Sequence, residues 1–63
     1  MNTAVKCQPK NLLLGDVILL GQHTWTIVDI EGPDKIGTYD LRLHDSYNNY
    51  RYAFVTEPVT ILM

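Results

Sequence analysis

Apolar residues recur along this chain with a period of two, and Gly, Pro, Asn and Asp cut the pattern at short intervals. A period of two marks a strand with one buried face, and the interruptions supply turn chemistry. No window long enough for a regular helix shows apolar residues at i, i+3 and i+4. The spacing therefore predicts six short strands. The first, residues 4–7, closes at Gln8-Pro9, because proline cannot donate to a ladder. Asn11 is expected to cap one tight turn over residues 12–14, with Gly15 as its left-handed stop. Asp16 leads into residues 17–20, and Gly21-Gln22-His23 makes the hairpin turn into residues 24–31.

In that longest strand Trp25 and Ile27 share one face, while Val28 and Ile30 have the opposite parity. A β-bulge near Ile27-Val28 would turn all four toward one core and bend the strand. Residues 32–37 are a turn loop by composition. Residues 38–44 alternate cleanly, with Tyr39, Leu41 and Leu43 inward and Thr38, Asp40, Arg42 and His44 outward. Asp45-Ser46-Tyr47-Asn48-Asn49 closes a hairpin onto residues 50–55, where Tyr52 and Phe54 are the expected inward pair. Thr56-Glu57-Pro58 turns the chain into a last strand, residues 59–63. Short strands without crossover helices imply antiparallel hairpins, so the expected fold is all-β. Residues 1–63 should form a single domain, a small SH3-like barrel of five to six strands, closed or nearly closed.

Composition narrows the class. Sixty-three residues bury a modest core, and one cysteine, Cys7, excludes an internal disulfide. That cysteine usage fits a reducing, cytoplasmic setting. Hydrophobic content of 46% with 19% charged residues is globular. The run from Val17 to Leu20 is too short to cross a bilayer, and Asn2, Thr3 and Lys6 make a polar start unlike a signal peptide. A net charge of −2 with mixed signs offers no basic run for nucleic acid.

The series Leu12-Leu13-Leu14-Gly15-Asp16-Val17-Ile18, then Gly21, Trp25-Thr26-Ile27 and Ile30, resembles the opening of several small-barrel families. It is similar to the SH3-like or KOW-like domain that begins bacterial elongation factor P and to the Hint fold of inteins, over roughly the first half of the chain. Over most of its length it resembles short stand-alone bacteriophage proteins, which end in a strand like Val59-Thr60-Ile61-Leu62. Cys7 is internal, whereas a Hint domain splices through a residue at its start. Lys35 sits in the loop where elongation factor P carries a modified lysine, but in a different Gly-Pro-Asp context. The resemblance implies a fold and a phage origin, and a shared fold does not carry function across.

Candidate chemistry is sparse. Cys7 has no histidine in its segment and reads as a small hydrophobe. His23 and His44 lack metal-ligand spacing with Cys7 or Asp45, and Asp16, Asp29 and Asp45 stand singly. Each glycine falls at a predicted turn, and none belongs to a phosphate-cradling motif. The expectation is therefore a non-enzyme without metal or cofactor. Trp25, inward with Ile27, reads as core in preference to a stacking platform.

One cluster points outward. Strand parity sets Arg42 and His44 beside Arg51, with Tyr47 and Tyr50 at the adjoining tip. Tyr and Arg are enriched at interface hot spots and also hold single-stranded nucleic acid. Leu12–Leu14 is a second interface candidate, since a tight turn cannot bury three leucines on one side. The leading expectation is a protein-binding module, phage-encoded, acting on a host or phage partner by surface occupation. The alternatives are an RNA- or single-stranded-DNA-binding barrel and a self-assembling homo-oligomer. No membrane partner is expected.

Overall fold

The structure, a computed structural model, describes residues 3–63; Asn2 of the polar start lies outside them. Six strands are present: β1 (Ala4–Cys7), β2 (Val17–Leu20), β3 (His23–Glu31), β4 (Tyr39–His44), β5 (Tyr50–Val55) and β6 (Val59–Leu62). They form one antiparallel sheet in the order β1-β6-β2-β3-β4-β5. No helix among the described residues is long and apolar enough to cross a membrane. The all-β expectation holds, and each strand boundary falls within a residue of its predicted place.

Closure into a barrel does not occur. β1 and β5 each have one neighbour and are the two edges of an open sheet. Alternation dictates which face of each strand is buried, and it carries no information on whether the outermost strands meet. The buried face gathers Ile18, Trp25, Ile27, Leu41, Leu43 and Val59, with Leu12 lying over it from the β1–β2 connection.

The expected bulge is present. Pairing of β3 with β4 steps from Ile27–Leu43 to Asp29–Arg42, leaving Val28 without a partner. The step returns Ile30 to the core side opposite Leu41. Val28 itself is exposed, contrary to expectation, because the extra residue of a bulge lies outside the alternation that it corrects.

The tight turn also differs. A short 3-10 turn covers Pro9–Asn11, and Leu12 follows it with extended backbone. Proline at the first position presets that turn, so it forms earlier than Asn11 capping implied. Leu12 points into the core while Leu13 and Leu14 stay exposed. Gly15 has φ +92 and donates its N–H to Ile27 at 2.8 Å, holding this loop against β3. Asp16 adds an acceptor for the Leu13 N–H.

The largest correction concerns β5. Leu41 pairs with Ala53 and Leu43 with Arg51, so the odd-numbered residues face the core side. Ala53 and Val55 pack there, whereas Tyr52 and Phe54 lie on the open face. The Asp45–Asn49 connection decides this. It sets Tyr50 opposite the outward His44, and every second residue follows.

Candidate functional site

Two groups of side chains meet at the β4–β5 hairpin, one on each face. On the open face Asp40, Arg42 and His44 of β4 stand opposite Phe54, Tyr52 and Tyr50 of β5. The three aromatics are 74%, 61% and 66% exposed and form an uninterrupted stripe along the edge strand. His44 and Tyr50 hold their rings 4.6 Å apart, tilted by 38°. Arg42 donates from Nη2 to the Tyr52 hydroxyl at 3.3 Å and lies 5.6 Å from that ring's centre. The hydrogen bond to Tyr52 raises the Arg42 pKa further above its ordinary value, with a smaller contribution from Asp29 and Glu31.

Behind the stripe, carboxylates outnumber cations. Asp29 pairs with Arg42 across β3–β4 and Glu31 pairs with Asp40. A recess of about 280 Å³ opens between Phe54 and Glu31, Asp34, Thr38 and Asp40. Its floor is held by the 32–37 loop, where Asp34 Oδ1 accepts the N–H groups of Ile36 and Thr38. Gly32 is required at its rim. Its φ is +117, and a Cβ there would fall 2.8 Å from the Thr38 carbonyl oxygen. Asp40 Oδ1 is buried without a hydrogen-bond partner.

On the core side, at the hairpin tip, Arg51 extends over the Trp25 ring at 5.9 Å. His23 packs tilted by 58° against Trp25 at 4.8 Å, with Tyr47 beyond it at 6.4 Å. Asp45 organises this corner. It is 5% exposed and accepts four hydrogen bonds: from the N–H groups of Tyr47 and Asn49, from the Asn49 side chain, and from His23 Nε2 at 2.9 Å. Burial works against its charge. The bonds from Asn49, His23 and Tyr47 outweigh burial and hold the carboxyl well below the usual carboxylate range.

The expected cluster is therefore divided. Arg42, His44 and Tyr50 share the open face, but Arg51 belongs to the opposite one, because it pairs with the buried Leu43. Tyr47 is exposed at the tip and leans toward His23. Tyr52 and Phe54 are the members that sequence reasoning missed, having been assigned to the core. The signal that would have found them is the parity of the hairpin: once His44 pairs with Tyr50, residues 52 and 54 must share its face.

The chemistry open to this face is contact and stacking. Its polar groups are one guanidinium, one imidazole, the hydroxyls of Tyr50 and Tyr52 and a carboxylate row. Among the described residues no group of three His, Cys, Asp or Glu side chains is placed to hold a metal ion. Compared with known proteins, the chain matches no family model, no curated protein and no solved structure.

Proposed function

We propose that this protein is a non-enzymatic binding module that works by occupying a partner protein's surface with the open face of β4 and β5. The observation that carries the reading is the stripe Tyr50-Tyr52-Phe54, three large aromatics exposed side by side on an edge strand and flanked by Arg42. Aromatic rings supply contact area with little rotamer entropy to lose, and together with arginine they dominate interface hot spots. The recess beside Phe54, lined by Glu31, Asp34 and Asp40, adds acidic groups that a donor from a partner would meet. The likeness of its opening residues to short bacteriophage proteins supports a phage-encoded module acting on a host or phage partner.

A nucleic-acid reading uses the same rings for base stacking, but Asp29, Glu31 and Asp40 stand behind them against one arginine. That balance repels a phosphate backbone and favours a protein. The test compares capture of a partner from nuclease-treated lysate by the native protein and by a Tyr52→Ala/Phe54→Ala variant. The variant should lose more than about 2 kcal/mol of affinity while its unfolding midpoint moves little. Capture that survives the double substitution but fails in Leu13→Ser would move the site to the leucine loop. Capture that falls steeply with salt and needs nucleic acid would establish the alternative.

A further inference from the structure

The hydrogen bond from the Asp45 N–H to the Asn49 carbonyl sets the phase of the β4–β5 ladder. Pairing then continues without a register shift to Tyr39–Val55. In an antiparallel ladder hydrogen-bonded and non-bonded pairs alternate. Leu43–Arg51, Leu41–Ala53 and Tyr39–Val55 are accordingly the bonded pairs. The N–H and C=O groups of Tyr50, Tyr52 and Phe54 point the other way, out of the sheet edge. These are the same residues whose rings form the exposed stripe.

The two edges of the sheet are not alike. β1 is four residues long, carries Lys6 and is closed by Pro9. Short length, lysine and proline are the usual protections of an edge against pairing. β5 is longer and regular, has neither lysine nor proline, and bears one charge, Arg51.

We propose that two copies of this chain pair through β5, antiparallel about a two-fold axis at Tyr52, joining two sheets into one. The proposal rests on the reading of the open face as a binding surface and states how that surface is completed. Tyr50 faces Phe54 of the other copy, and Tyr52 faces Tyr52. In this register every free N–H and C=O of the three residues finds a partner. A register centred on Ala53 leaves Tyr50 opposite Thr56, beyond the end of the strand. Arg51 falls opposite Ala53 of the other copy, so no like charges meet. The two stripes merge into one ladder of aromatics flanked by an Arg42 on each side, with cross-strand ring pairs of the kind that stabilise sheets. A stable interface needs about 800 Å² per partner. That is about a sixth of this chain's 4580 Å² surface, and a contact made through one six-residue edge strand belongs to the smaller, weaker class. Association is therefore expected to depend on concentration.

Sedimentation equilibrium of the native protein from about 1 μM to about 1 mM should show a monomer passing to a dimer. Amide exchange at the two ends of that range should slow at least about tenfold at Tyr50, Tyr52 and Phe54, whose N–H groups have no partner within one chain. In a Cys7→Ser background, Tyr52→Cys should cross-link under mild oxidation, because a bonded antiparallel pair spaces its Cα atoms about 5.5 Å apart, within disulfide reach. Ala53→Cys should not. Tyr52→Pro should stay monomeric at every concentration with its β4–β5 ladder intact, since the lost N–H faces outward. A monomer at the highest concentration would overturn the proposal, as would a dimer in which those three amides remain fast or in which Ala53→Cys cross-links. A protein that stays monomeric yet loses its partner on Tyr52→Ala/Phe54→Ala would refute the pairing and leave the binding reading standing. A dimer whose partner capture ignores those substitutions would do the reverse.

Discussion

Trp25 and Asp45 meet through His23 but stabilise the chain in different ways. Trp25 fills the centre of the core, with Ile18 as its cross-strand partner. Its indole N–H is buried without an acceptor, so its contribution comes from packing. Trp25→Ala should therefore cost about 3–5 kcal/mol, which in a chain this small is most of the stability, and urea unfolding will measure it. Asp45 acts through its charge. Because its pKa in the folded chain lies below the ordinary 3.8, the folded state binds fewer protons than the unfolded one as pH falls. The stability it lends is fully present above the ordinary carboxylate range and drains away as the solution is acidified through and below that range. Unfolding midpoints recorded from neutral pH down to about pH 2 should fall in the native protein and fall less in Asp45→Asn, which starts lower. Equal acid slopes in the two proteins would assign the loss to other carboxylates.

At the scale of elements, alternation made the strands legible and the bulge deducible, since Trp25, Ile27 and Ile30 could share a core only if one residue were inserted. The same logic could not orient β5. Tyr50, Tyr52, Ala53, Phe54 and Val55 are apolar on both parities, and size alone argued for the wrong face. What decides is the hydrogen-bond set of the turn just before it, in which Asp45 fixes the Asp45–Asn49 connection and so pairs His44 with Tyr50. The three leucines show a similar limit. The sequence indicated that they could not all be buried, and the backbone after the 3-10 turn selects Leu12. Leu12→Ala should cost about 2–5 kcal/mol by leaving a cavity. Leu13→Ser and Leu14→Ser should change stability by less than about 0.5 kcal/mol, as exposed positions do. Denaturant midpoints of the three variants check this, and a large loss at Leu13 would show that its side chain packs against the fold.

For the whole molecule, the departure from expectation is an open sheet where a barrel was foreseen. Local patterning specifies faces, while closure depends on accumulated twist and on the stagger of strands far apart in sequence. The openness leaves an inequality between edges, and that inequality has a consequence for size. A sheet with two receptive edges polymerises, because each added copy presents a fresh one. In the proposed pair joined at β5 only β1 would face outward at both ends, so addition would terminate after one step and the product would be finite. Lys6, exposed on that strand, would then be one of the features, with the strand's short length and Pro9, that separate a bounded particle from an endless ribbon. Lys6→Val should convert concentrated solutions from clear to scattering, with growth of a cross-β dye signal, whereas Lys10→Val, outside the strand, should leave them clear.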